Sequence, residues 1–116
     1  MRVVSGATRR RFGLLMGAGL VAPLVVRAHD GPHLVEAGIE GFAFVPCRLE
    51  IRAGDTVRWT NHDIAPHTAT DKAGGWDTGR IAKGESSDVT YDAPGTYAVF
   101  CRFHPNMIAE VVVEPA

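Results

Sequence analysis

From residue 34 onward, apolar positions alternate with polar ones and show no recurrence at every third and fourth residue. "RLEIR" (48–52) and "TVRWT" (56–60) are the clearest cases. A period of two sends one face of a segment to a core and the other to solvent, as in half-buried strands. On this basis strands are predicted at Leu34–Ile39, Ala43–Val45, Arg48–Arg52, Thr56–Thr60, Thr68–Thr70, Ser87–Tyr91, Gly95–Cys101 and Met107–Val113. Between them lie "AGDT", "KAGG", "AKGES" and "DAPGT". In the last, Pro94 fixes φ and Gly95 accepts a positive φ, so the pair marks a turn. Short strands with turn chemistry at such spacing define an all-β fold, an antiparallel β-sandwich.

The first 28 residues follow a different pattern. Arg2, Arg9, Arg10, Arg11 and Arg27 precede or flank an apolar run from Phe12 to Val26, with small residues before a plausible cut after Ala28. This is the layout of an export signal. Thr8-Arg9-Arg10-Arg11-Phe12-Gly13-Leu14 resembles the twin-arginine motif. The apolar run contains Gly13, Gly17, Gly19 and Pro23 and falls short of the ~20 residues that span a bilayer. The expected organisation is a twin-arginine-type signal peptide over 1–28, then one domain over 29–116, with no stable membrane insertion after processing. "HDGPH" (29–33) reads as a loose, polar entry to that domain.

Charge sharpens the division. All thirteen acidic residues lie beyond position 29, so residues 29–116 hold 7 basic against 13 acidic groups, a net charge of −6. A domain this acidic is not expected to bind nucleic acid or anionic lipid, and it suits a basic or polar protein partner.

The candidate chemistry is concentrated in "CRFHPNM" (101–107), where Cys101, His104 and Met107 recur at three-residue spacing. Cys101 closes one predicted strand and Met107 opens the next, and Pro105 stiffens the turn between them. Thiolate, imidazole and thioether form a soft donor set that suits copper better than calcium or magnesium. Structural zinc normally takes four Cys and His ligands. The two-histidine, one-cysteine trigonal arrangement with axial methionine needs one more histidine. "WTNHDIAPHTAT" offers His62 and His67. His62 lies in the polar Asn61-His62-Asp63 stretch, read as a solvent-facing turn. His67 follows Pro66 and opens a strand-like run, and it is the favoured ligand. His29 and His33 are placed in the loose terminus, where a new N-terminal His29 would chelate adventitious copper.

The stretch from about residue 34 to 113 resembles the cupredoxins, the small blue copper proteins. The resemblance rests on "FAFVPCRLEIRAGDTVRW", on the N-x-D-x-x-P-H run from Asn61 to His67, and on "PGTYAVFCRFH" followed by the C-x-x-H-x-x-M spacing. It implies a Greek-key sandwich and one type 1 copper ion with ligands His67, Cys101, His104 and Met107. It also implies that electrons leave through the His104 ring edge, within an apolar patch of Ile64, Pro66, Phe103 and Pro105. Such a closed shell has no position for a substrate, which argues against an enzyme. The expected function is a monomeric periplasmic carrier of single electrons between redox proteins such as c-type cytochromes or a periplasmic dehydrogenase. The alternative is copper delivery or sequestration.

Three positions depart from the family pattern or stand outside it. Arg102 is expected to point outward beside the site, and Phe103 to pack on the sandwich or widen the apolar patch. Thr68 stands where several relatives have asparagine, which puts in doubt the hydrogen bond joining the two ligand loops, although its amide remains able to reach the Cys101 sulfur. Cys47, left without an intramolecular partner, is read as a small buried residue at a strand entrance, with an intermolecular disulfide as the alternative.

Overall fold

The computed structural model describes residues 31–116, so the predicted export segment and His29 lie outside the described residues. Eight strands form: β1 (Leu34–Ile39), β2 (Phe44–Val45), β3 (Arg48–Arg52), β4 (Thr56–Asn61), β5 (Thr70–Asp71), β6 (Ser86–Thr90), β7 (Gly95–Phe100) and β8 (Ile108–Glu114). They assemble into two four-stranded sheets, ordered β2-β1-β4-β6 and β3-β8-β7-β5. The all-β sandwich is therefore as expected, with boundaries shifted by one or two residues. No helix among the described residues is long and apolar enough to cross a membrane.

The pairing is mixed where a wholly antiparallel sandwich was expected. β1 runs parallel to β4, with Leu34 opposite Thr56 and Ile39 opposite Asn61. β3 runs parallel to β8, with Arg48 opposite Glu110. Parallel neighbours require a crossover between them. For β1 and β4 that crossover passes through β3 in the other sheet. Alternation along a strand reports which face is buried and carries no information on the direction of its neighbour, so this feature was not legible.

Alternation does account for the core. In β3 only Leu49 and Ile51 are buried, and in β4 Val57, Trp59 and Asn61 face inward. Burying side chains of this size contributes roughly 1.5–3 kcal/mol each. An aromatic run extends through the interior: Phe44 meets Trp59 edge-on at 5.6 Å, Trp59 stacks on Trp76 at 6.3 Å, and Trp76 meets Tyr91 at 5.2 Å. Burial pushes the Tyr91 hydroxyl pKa upward, so it stays neutral across the ordinary pH range.

The N-terminal entry is better anchored than its composition suggested. The His33 amide donates to Asp55 Oδ1 at 2.8 Å, and the Thr56 amide donates to the His33 carbonyl at 2.9 Å. Asp55 is buried, and its other oxygen accepts the Arg52 amide at 2.9 Å, fixing the corner that starts β4. A buried carboxylate recruits whatever donors the chain can bring, and here it ties down the first described residues. Cys47 is also corrected. It is exposed in the β2–β3 connection, its carbonyl bonded to the Glu110 amide at 2.9 Å. A two-residue connection leaves no overlying chain to cover it.

Candidate metal centre

Three strand ends supply the site. β4 leads into the 62–67 segment, β7 runs into Cys101, and Met107 precedes β8. The last of these connections explains the three-residue spacing of the motif. The His104 amide donates to the Cys101 carbonyl at 3.2 Å, and the Met107 amide to the His104 carbonyl at 2.9 Å. Two successive four-residue turns thus share His104. The Cys101 amide closes the loop on the Met107 carbonyl at 3.2 Å. Pro105 occupies the second position of the second turn, where its fixed φ is favoured. Turn geometry keeps the Cα atoms of residues three apart within about 7 Å of each other, so the spacing keeps the backbones of Cys101, His104 and Met107 close together.

The other histidine is held from behind. His67 pairs with Ile81 through both backbone bonds, at 3.1 and 2.7 Å, and has no solvent exposure. The regular strand begins only at Thr70, two residues later than expected. Asn61 organises the intervening loop. Its side-chain amide donates to the carbonyls of Ala65 (2.9 Å) and Ile81 (3.0 Å), and its oxygen accepts the Asp63 amide at 2.9 Å. The solvent-facing reading of residues 61–63 therefore holds for His62 alone. Asn61 is fully buried and Asp63 partly so. A polar residue closing a strand whose alternate positions face the core was the available signal, and the local polarity obscured it.

Cys101 Sγ lies 3.7 Å from His67 Nδ1 and 3.8 Å from His104 Nδ1. The three donor atoms fall within 4.8 Å of one another and form the one such group among the described residues. Bonds of about 2.0 Å to nitrogen and about 2.3 Å to sulfur place trigonal donors roughly 3.8 Å apart. The donor set and its spacing therefore fit a first-row metal ion with soft preferences. Met107 is buried at the end of the loop. His33 and His62 take no part in the group.

Further contacts surround these donors. The Thr68 amide points at Cys101 Sγ at 3.4 Å. The Thr68 hydroxyl accepts the Arg102 amide at 2.8 Å and shares a 2.9 Å bond with the Thr70 hydroxyl. The bridge between ligand loops that the absence of asparagine put in doubt is thus made by threonine. Arg102 does point outward, but it is paired with Asp77 at 2.7 Å and lies over the Phe103 ring. Burial pushes the Asp77 pKa up, and the Gly79 amide and Arg102 outweigh it, so the net shift is downward.

His104 is half-buried. Of the apolar positions expected around it, Ile64 is 85% exposed and Phe103 43%. Phe42, which the sequence reading did not single out, joins them: its ring meets the His104 ring edge-on at 4.8 Å and the His67 ring at 5.1 Å. An aromatic next to glycine in a short hairpin was the only trace of it in the sequence.

A β-sandwich that presents two imidazoles and a buried thiol from three strand ends defines a class. The chain belongs to the copper-binding proteins of the plastocyanin/azurin family, whose description matches residues 32–114, and copper is the cofactor of this electron-transport class. Amicyanin of Paracoccus versutus is 36% identical over 95 residues, covering 77% of this chain and 72% of that protein. Amicyanin-alpha of Methylorubrum extorquens is 33% identical over 103 residues, covering 84% and 87%. Chloroplastic plastocyanin of Pisum sativum is 31% identical over 128 residues, covering 97% and 76%. Among solved structures, Paracoccus versutus amicyanin superposes with a TM-score of 0.63 at 32% identity, over 75% of this chain and 84% of that one.

Proposed function

We propose that the chain carries single electrons between redox proteins in the periplasm, through one copper ion held by His67, Cys101, His104 and Met107. The observation that carries this reading is the convergence of a buried thiol and two imidazole Nδ1 atoms at 3.7 and 3.8 Å. Copper bound there supplies a one-electron couple. The protein's part is to keep the donors in place, so that little rearrangement accompanies the change of charge. β7 holds Cys101 and the His67–Ile81 bridge holds His67, both buried. The Thr68 amide directed at the sulfur offsets thiolate charge and tunes the couple. His104, half-buried among apolar side chains, offers the contact edge. Small, weak interfaces of this kind suit rapid exchange with c-type cytochromes or a dehydrogenase. Export by the twin-arginine route belongs to the same reading and rests on residues 1–28.

Delivery of copper finds less support. A donor site for handover needs ligands a partner can reach, whereas His67 and Cys101 have no solvent exposure.

The test is the visible and electron paramagnetic resonance spectrum of the domain with one equivalent of Cu(II). An intense thiolate-to-copper band is expected, lost in Cys101→Ala and retained in His62→Ala. A pale spectrum indifferent to Cys101→Ala would overturn the assignment.

A further inference from the structure

The turn between β1 and β2 is built in an unfavourable way. Glu40 and Ala43 exchange both backbone bonds, at 2.9 and 3.2 Å, which leaves Gly41 and Phe42 as a two-residue loop. Both have positive φ, 63° and 57°. Hairpin loops of this kind favour glycine or asparagine at such positions. A bulky residue there costs roughly 1–2 kcal/mol. Such strain persists only where surrounding contacts over-determine it, and it concentrates at functional sites.

The contacts that over-determine it converge on Asp63. One oxygen accepts the Gly41 amide at 2.8 Å, and the other accepts the Phe42 amide at 2.8 Å and meets His67 Nε2 at 2.9 Å. Both Asp63 oxygens already accept backbone amides, so the side chain stands as the acceptor and the geometry places the proton of this bond on Nε2. His67 is thereby left with its lone pair on Nδ1, the atom that faces Cys101 Sγ. The Phe42 ring, whose backbone amide bonds the same carboxylate, stands edge-on to both His67 and His104.

We propose that Asp63 and Phe42 are positioning residues forming a clasp over the two imidazoles: the carboxylate sets the tautomer and donor strength of His67, and the ring limits water at both histidines. The inference rests on the assignment of His67 and His104 as copper ligands. A carboxylate on the far nitrogen of a ligand imidazole raises its basicity and favours the more highly charged metal ion. An apolar cover lowers the local dielectric and disfavours that same ion. The two halves of the clasp therefore pull the reduction potential in opposite directions.

The experiment compares Asp63→Asn and Phe42→Gly with the wild type by voltammetry of the copper-loaded protein. In Asp63→Asn, Cu(II) affinity is expected to fall about 10-fold relative to Cu(I), a rise of about 59 mV for a one-electron couple. In Phe42→Gly the potential is expected to fall. That variant relieves backbone strain, so the metal-free domain should unfold no more easily than the wild type, which separates positioning from folding. Nitrogen-15 spectra of the metal-free protein give a second readout: His67 should be protonated at Nε2 in the wild type and mixed between tautomers in Asp63→Asn. A blue wild type whose potential stays put in both variants, with His67 tautomers unchanged, would overturn the clasp alone. A wild type with no blue band would overturn the copper-site assignment, and the clasp with it.

Discussion

At the scale of single residues, much of the site depends on buried polar groups that touch no candidate ligand atom. Asn61 is the strongest case, since it satisfies two carbonyls and one amide in the loop that delivers His67. Asn61→Ala leaves those groups without partners, and each unsatisfied buried group costs about 1–3 kcal/mol. Water reaching the loop would recover part of this, so a net loss of about 2–4 kcal/mol is expected from denaturant unfolding of the metal-free domain. Asp77 gives a pH-dependent case. Its folded pKa is lowered, so its pair with Arg102 stabilises the domain above the ordinary carboxylate pKa of about 3.9 and ceases to do so as pH falls through the lowered value. Both side chains are more than a third exposed. Solvent screening therefore limits the effect to about 0.2–1 kcal/mol. Asp77→Asn should be less stable than the wild type near pH 7, and the difference should vanish once the pH has fallen through the lowered pKa of Asp77, as read by thermal unfolding across the acid range. The individual residues that composition misplaced, Asn61 and Cys47, share one cause. Burial is decided by what the rest of the chain lays over a position, and local polarity reports that only on average.

The elements were legible to very different degrees. β3 and β4 were readable residue by residue, because strict alternation and one buried face leave no freedom in register. β5 was placed early because His67 and Thr68, though extended, belong to a bridge and a hydroxyl network instead of a ladder. The ligand loop was the most legible element of all, since its spacing is also its turn geometry. Pro105 contributes there chiefly by restricting the unfolded chain, so Pro105→Ala should lower stability by about 0.4–1 kcal/mol. The same change should leave Cys101 and His104 in place, because the bonds joining 101, 104 and 107 involve no group of the proline ring. A copper-loaded Pro105→Ala protein is thus expected to stay blue, with slightly easier unfolding. Loss of the band would mean that the turns alone do not hold the loop. The clasp, by contrast, joins the β1–β2 turn to a segment more than twenty residues away. No local pattern encodes such a meeting, and only the fold reveals it.

For the molecule as a whole, the distribution of charge should govern how copies and partners meet. Beyond residue 28 the chain carries 7 basic and 13 acidic groups. Close to His104 that excess is small: Phe42 and Phe103 are apolar, Arg102 is matched by Asp77, and the nearby Asp63 carboxylate is turned onto the Gly41 and Phe42 amides. Two copies approaching through these faces therefore repel mainly at long range, through charges elsewhere on the domain. Such repulsion weakens as the Debye length shortens, from ~30 Å at 0.01 M to ~8 Å at 0.15 M ionic strength. Electron self-exchange between Cu(I) and Cu(II) forms, followed by NMR line broadening, should accordingly accelerate as salt is added and level off above that range. Exchange with a positively charged redox partner should show the reverse, slowing with salt because steering is lost. The two slopes together locate the charge relative to the docking face. If self-exchange ignored salt while the cationic partner still slowed, the acidic groups would have to flank that partner's footprint without facing a second copy. If both rates ignored salt, the apolar rim alone would determine encounter, and the acidic character of the domain would play no part in choosing its partners.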